Sequence, residues 1–375
     1  MTYRKILVMF GTRPEAIKMA PVIHALQENS PYVTTQVCVT AQHREMLDQV
    51  LDIFHILPDF DLDLMKKRQD LEDITASILQ QFKDILRQVK PDIVLVHGDT
   101  STTFATSLTC FYENIPVGHV EAGLRTYNFQ EPWPEEMNRR VTGILASLHF
   151  APTRRAFDNL VREGVSETRI SITGNTVIDA LFYVLNRLQS NPDLAFRLSE
   201  KFSFLHSGKR LLLVTAHRRE SFGQKLEEIC LALKDIAEQN DVELVYPVHL
   251  NPNVKNPVQR ILSNVPNIYL LDPLDYLDFV YLMNRSYLII TDSGGIQEEA
   301  PALGKPVLVL RDTTERPEAL EAGTVKLIGT QRQRIMQETN MLLHSEDEYR
   351  SMSHRQNPFG DGYAARRIME RLRTD

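Results

Sequence analysis

Short apolar runs alternate with longer amphipathic stretches from one end of this chain to the other, and no other feature narrows its fold as much. Residues 5–10, 34–39, 92–97, 117–120 and 149–151 read as buried strands in the first half. Residues 210–215, 243–247, 268–271, 287–291, 307–310 and 324–328 do so in the second. Runs without polar alternation belong to strands covered on both faces, which is the habit of parallel sheets. The intervening stretches 71–89, 134–148 and 226–239 carry apolar residues at helical spacing. Such alternation predicts an α/β protein, and its repetition predicts two Rossmann-like doubly wound domains. A length of 375 residues with 43% hydrophobic content suits two domains better than one. The least periodic region is 189–209, with a break at Asn191-Pro192. Because 176–188 looks like a helix of the second half, the domains are placed at 1–172 and 173–361. The final helix, 362–375, is expected to cross back onto the first domain.

Other classes are set aside by what is absent. Net charge is −7, and no long basic run stands out among the 42 basic side chains, so no nucleic-acid partner is expected. No apolar stretch reaches membrane-spanning length, and no signal-peptide core precedes the first strand, so a cytoplasmic protein is expected. Cys38, Cys110 and Cys230 have neither metal spacing nor the density of a disulfide framework, and no metal is expected. Neither a G-x-G-x-x-G after a strand nor a Walker A sequence occurs, so no dinucleotide or ATP cofactor is expected.

Ligands of open α/β sheets sit outside the carboxyl ends of the strands, so the strand exits carry the functional reading. After the first strand, Thr12 and Glu15 have capping-box spacing and Pro14 suits a first turn. Arg13 is a cation where the helix macrodipole disfavours one, which points to an anionic ligand, with Lys18 one turn on. Asp99 follows the third apolar run and reads as a helix cap or as a functional acid. Glu121 ends the next, and an ion pair with Arg125 is the plain account of it. Glu135 and Glu136 read equally as first-turn dipole partners, beside the stiff Pro132-Trp133-Pro134 loop. In the second half, His217 and Arg218 leave one strand and His249 another. Asp292-Ser293-Gly294-Gly295 leads into a helix whose start suits phosphate, and Glu299 lies where it could accept from a ribose diol. The alternative is an ordinary turn with Asp292 or Ser293 as N-cap. Pro301 stands inside that expected helix. Together these residues indicate an enzyme with an anionic, nucleotide-like ligand.

Longer strings sharpen this. Phe10-Gly11-Thr12-Arg13-Pro14-Glu15-Ala16, His97-Gly98-Asp99-Thr100, Gly118-His119-Val120-Glu121-Ala122-Gly123-Leu124-Arg125, Pro134-Glu135-Glu136, Thr173-Gly174-Asn175-Thr176-Val177-Ile178-Asp179, His217-Arg218-Arg219-Glu220 and the segment 292–306 occur in this order. As a set they resemble the non-hydrolysing UDP-N-acetylglucosamine 2-epimerases, above all bacterial members that form UDP-N-acetylmannosamine for surface polysaccharides such as enterobacterial common antigen. The resemblance implies a glycosyltransferase-B-like fold with an interdomain cleft, a homodimer and no cofactor. It implies catalytic roles for Asp99, Glu121, Glu135 and His217. Arg13, Lys18, Phe279, Ser293, Gly294, Gly295, Glu299 and Arg316 match substrate- and UDP-binding positions. Gln42, His43, Arg68, Glu136, Arg218 and His249 match a second, activating UDP-N-acetylglucosamine site. The implied chemistry is elimination of UDP to 2-acetamidoglucal and re-addition. A UDP-sugar glycosyltransferase, a hydrolysing epimerase and a non-catalytic UDP-sugar sensor are the competing readings.

Overall fold

The computed structural model of the protein describes residues 5–29, 32–41, 44–64, 69–206, 208–239 and 241–374. Strands β1 (Lys5–Phe10), β2 (Thr34–Val39), β3 (Phe60–Asp61), β4 (Ile93–His97), β5 (Val117–Val120), β6 (Leu148–Ala151) and β7 (Ile170–Ile172) form one sheet in the order β3-β2-β1-β4-β5-β6-β7. Strands β8 (Arg210–Thr215), β9 (Val242–Pro247), β10 (Ile268–Leu271), β11 (Leu288–Thr291), β12 (Val307–Val309) and β13 (Val325–Leu327) form a second, in the order β10-β9-β8-β11-β12-β13. Every pairing in both is parallel. These are the two doubly wound α/β folds expected. Helices cover both faces, so Ile6, Leu7, Val8, Met9 and Phe10 are fully buried although they alternate sides. On one face, Ile78 and Phe82 of the helix Leu71–Val89 pack with Leu7, Met9, Val94 and Val96.

In each sheet the strand order reverses once, between β1 and β4 and between β8 and β11. Loops leaving neighbouring strands diverge at such a switch point and open a crevice for a ligand.

The structure adds elements that apolar periodicity did not mark. The strands Phe60–Asp61 and Ile170–Ile172 are too short to show a period. Residues 189–209 contain the helix Pro192–Lys201, and Asn191 caps it by accepting from the Leu194 amide at 3.0 Å. The Asn-Pro pair read as a break is therefore a cap followed by a first-turn proline.

The chain divides into two compact units, residues 1–183 with 359–375, and residues 184–358. The first division falls within the helix Thr176–Ser190 rather than at 172/173, because the opening turns of that helix are fastened to the first unit. The Tyr183 ring lies 5.0 Å from that of His24 and 5.1 Å from that of Phe54. Asp179 accepts from the amides of Ala364 and Ala365 at 3.2 and 2.9 Å, capping the C-terminal helix Ala364–Thr374, which packs on the helix Arg13–Gln27. No helix among the described residues is long and apolar enough to cross a membrane.

Burial pushes the Asp179 carboxyl up from 3.8 to about 6, against the pull of the two amides. Between these values the folded chain holds a proton that the unfolded chain has released. The stability linked to this group is therefore complete below the unfolded value and is lost as pH rises through the folded one. Urea midpoints measured from about pH 4 to about pH 7 should fall less steeply for Asp179→Asn than for the unmodified chain. Equal slopes would remove Asp179 from this role.

Candidate active site

At the exit of β1, Gly11 is required for space: a Cβ there would stand 2.0 Å from Thr40 Oγ1 and 2.6 Å from Thr102 Oγ1. Thr12 and Glu15 form the expected capping box on the helix Arg13–Gln27. Glu15 does more than cap. It is buried, its Oε2 accepts from the amides of Gly11 and Thr12 at 3.0 and 2.8 Å, and its Oε1 accepts from the Thr100 and Thr103 hydroxyls at 2.7 and 3.2 Å. The exits of β1 and β4, on either side of the switch point, are thus locked together. Arg13 and Lys18 stand half-buried on this helix.

Asp99 follows β4. Its carboxylate does not cap the next helix, a task taken by Thr100, whose hydroxyl accepts from the Thr103 amide. It is gripped by Arg139, through Nε at 3.1 Å and through Nη2, while Asn138 Nδ2 donates to the Asp99 carbonyl at 2.9 Å. The carbonyl of the preceding Gly98 accepts from His119 Nε2 at 2.7 Å. Burial pushes His119 down to about 3, so the ring is neutral and the contact fixes its tautomer.

Glu121 follows β5 with φ +61, in the left-handed region that non-glycine residues rarely occupy. The pairing with Arg125 expected from the sequence does not form: Arg125 donates to Glu163 at 2.9 and 2.7 Å. Glu121 pairs instead with Lys18 of the first helix, both side chains being largely buried. Glu135 and Glu136 open the helix Glu135–Leu145. One oxygen of Glu135, Oε2, is buried with no hydrogen-bond partner among the described residues. Glu136 is fully buried, accepts from the amides of Thr126 and Tyr127 at 3.0 Å each, and lies 3.3 Å from Arg139 Nη1. Trp133, in the proline-flanked loop before this helix, is exposed.

The second unit has a corresponding arrangement. Asp292, after β11, is fully buried and reaches across the switch point to the exit of β8, where its Oδ2 accepts from the amides of His217 and Arg218 at 2.6 and 2.7 Å. Its Oδ1 lies 3.5 Å from His217 Nδ1. Asp292 is thus a brace for His217. Ser293 occupies the N-cap position but makes no side-chain cap. Burial holds the His217 imidazole below its ordinary value; Asp292 opposes this, and His249 and Arg218 reinforce it. The His249 ring stacks on that of His217 at 5.6 Å.

The helix Gly294–Glu299 ends where Pro301 becomes a constraint, and a 3-10 turn, Ala300–Leu303, carries the chain on, which resolves the expected conflict. A Cβ on Gly294 would lie 3.8 Å from Arg218 Nη2, and one on Gly295 would lie 3.9 Å from Glu299 Oε2, both ordinary contact distances. Glu299 is buried and its Oε1 accepts from the Tyr276 hydroxyl at 2.7 Å. Arg316 pairs with the buried Glu298, and Phe279 stands half-buried on the helix Tyr276–Arg285.

Of the positions matched to a second ligand site, Gln42, His43 and Arg68 lie outside the described residues. The Glu136 carboxylate is engaged by the Thr126 and Tyr127 amides and Arg139, whereas Arg218 and His249 stand beside His217. Sequence reasoning missed Arg139, though it follows Glu135 by one helical turn on the same face. It also missed Tyr276, for which the sequence holds no signal.

A model of the UDP-N-acetylglucosamine 2-epimerase family matches residues 24–373. The UDP-N-acetylglucosamine 2-epimerase of Escherichia coli is 59% identical over 372 residues, covering 99% of each chain. The crystal structure of the UDP-GlcNAc 2-epimerase from Neisseria meningitidis bound to UDP-GlcNAc superposes with a TM-score of 0.92 at 52% identity, over 99% of this chain and 100% of that one. A glycosyltransferase from Rickettsia africae, 15% identical, has a TM-score of 0.64 over 100% of this chain and 99% of that one, a likeness of fold alone.

Proposed function

The chain belongs to the UDP-N-acetylglucosamine 2-epimerase family, and from that membership we propose that it interconverts UDP-N-acetylglucosamine and UDP-N-acetylmannosamine, without hydrolysis, for bacterial surface polysaccharide. A base removes the proton at C2 of the sugar as the C1–O bond to UDP breaks, leaving 2-acetamidoglucal and UDP. A proton then returns to C2 from the opposite face, and UDP adds back to C1.

The observation that carries this reading is the set of three carboxylates of one unit, two at strand exits and one at the start of the helix Glu135–Leu145. Inverting C2 needs proton donors and acceptors on both faces of the sugar. Asp99, gripped by Arg139, Glu121, paired with Lys18, and Glu135, with one buried oxygen unpartnered, are assigned these transfers. Arg13 and Lys18 are assigned to the substrate. UDP is assigned to the second unit. The amides of Gly294 and Gly295 at the helix start are assigned to the phosphate, with Ser293 beside them and Arg218 close by. Glu299, steadied by Tyr276, accepts from the ribose, while Phe279 and Arg316 complete the nucleotide contacts. Negative charge grows on the diphosphate as C1–O breaks, and a protonated His217 stabilises it. A bound diphosphate favours that protonation against the burial that opposes it.

A second UDP-N-acetylglucosamine, bound through Gln42, His43, Arg68, Glu136, Arg218 and His249, is assigned an activating role. The stack of His249 on His217 supports a link between that ligand and catalysis. We place the protein in the cytoplasm as a homodimer. Exposed Phe111, Tyr112 and Ile144, at the ends of the neighbouring helices Ser101–Tyr112 and Glu135–Leu145, support such an association.

Incubation with UDP-N-acetylglucosamine alone in heavy water, followed through the anomeric proton by NMR, tests the reading. UDP-N-acetylmannosamine carrying deuterium at C2 is expected, with no acceptor added. Product without deuterium would exclude the elimination, and free N-acetylmannosamine with UDP would identify a hydrolase.

A further inference from the structure

Glu121 is held from one side by a residue to which nothing above gives a task. Asn175 is only 2% exposed. Its Oδ1 accepts from the Val177 amide at 3.0 Å, which decides which way the side-chain amide faces, and its Nδ2 donates to Glu121 Oε2 at 2.7 Å. Lys18 reaches the same oxygen, and His97 Nε2 lies 3.8 Å from it. Burial pushes His97 down to about 4, so it adds no charge there at neutral pH. The other oxygen, Oε1, is turned toward the Gly98 turn, 3.6 Å from where a Cβ on Gly98 would stand. The backbone of Glu121 is left-handed, a conformation that persists only where its surroundings enforce it.

Asn175 is fixed in turn from behind. Its amide donates to the Phe359 carbonyl at 2.6 Å. Gly174 and Gly360 meet so closely that a Cβ on either would stand 3.3 Å from the Cα of the other. Arg367 Nη1 donates to the Thr173 carbonyl at 2.9 Å. The returning C-terminal segment is therefore bound to residues 173–175 at several points.

We propose that Asn175 is a positioning residue for Glu121. It holds Oε2 and so fixes the orientation of the carboxylate for proton transfer, and residues 359–374 brace Asn175 from behind. The proposal rests on the epimerase reading. Removing one hydrogen bond to a charged acceptor loosens its orientation, and proton transfer to carbon tolerates little misplacement.

The test compares Asn175→Ala and Asn175→Asp with the unmodified protein for kcat, KM, UDP affinity and the pH profile of kcat. Asn175→Ala is expected to lower kcat by about ten- to a hundredfold, with KM and UDP affinity changed by about twofold or less. Asn175→Asp keeps the shape and the acceptor for the Val177 amide but sets a second carboxylate against Oε2. Like charge disfavours ionised Glu121, so the acid limb of kcat moves to higher pH. A variant that was only misfolded would lose amplitude without moving that limb. Gly360→Ala, which presses on the brace without touching Glu121, is expected to lower kcat with no change in UDP affinity. An unmoved acid limb in Asn175→Asp, or a loss shared equally by UDP binding, overturns the positioning role while leaving the epimerase intact. Absence of C2 exchange in the unmodified protein overturns both.

Discussion

With Glu121 proposed as an acid–base group, Glu121→Gln is expected to lower kcat by about a thousandfold while leaving UDP affinity unchanged, within the range that such groups supply. Glutamine has the shape of glutamate, and its carbonyl oxygen can still accept from Asn175 Nδ2, so the site keeps its form and loses the proposed base. Deuterium incorporation at C2 should fall in parallel with turnover, because both need the same proton removed. A second effect is on stability. Lys18 is largely buried against Glu121, and neutralising the carboxylate removes this ion pair, so the melting temperature is expected to fall together with turnover. Exchange at C2 that survives Glu121→Gln would move the base to Asp99 or Glu135.

The architecture was legible in the sequence because parallel strands buried on both faces are uninterrupted apolar runs. Residues 5–10, 34–39 and 210–215 coincide with β1, β2 and β8. What escaped was too short to show a period, such as β3, or was local chemistry with two meanings, such as Asn191-Pro192. The same ambiguity governs the site. Residue types at strand exits marked Asp99, Glu121, Glu135 and His217 as candidates, but not their partners. Glu121 has Arg125 four positions away, yet its backbone is left-handed and it pairs with Lys18 of the first helix, more than a hundred positions earlier. Asp292 reads as a cap for the helix that follows it and spends its carboxylate on the exit of β8 instead. Contacts across a switch point join residues far apart in the chain, and only the strand order brings them together. Asn175 stood inside a recognised string, yet its link to Glu121 depends on where the C-terminal segment returns.

Asp292→Asn separates the orientation of His217 from its charge, and kcat is expected to fall by about a hundredfold or more. The asparagine carbonyl oxygen can accept from the amides of His217 and Arg218 as the carboxylate does, so the exit of β8 keeps its path. What changes is the other side-chain atom. In the unmodified chain Oδ1 is buried, has no hydrogen-bond partner among the described residues, and lies 3.5 Å from His217 Nδ1, where its charge favours the protonated ring. An amide nitrogen there would donate to Nδ1 and favour the neutral ring protonated only at Nε2. Burial, His249 and Arg218 already disfavour the imidazolium, so losing the Asp292 charge drives the His217 value lower still. In the proposed role of steadying the leaving diphosphate, His217 must be protonated, and that form is then lost at lower pH. The basic limb of kcat should move to lower pH, and UDP affinity should weaken most on the alkaline side. Asp292→Ala is the harsher control: two amides lose their acceptor, at about 1–3 kcal/mol for each group left unpaired, and melting falls together with activity. If Asp292→Asn loses turnover while its basic limb stays in place, Asp292 acts on His217 through position alone, and the charge of the ring has no part in the departure of UDP.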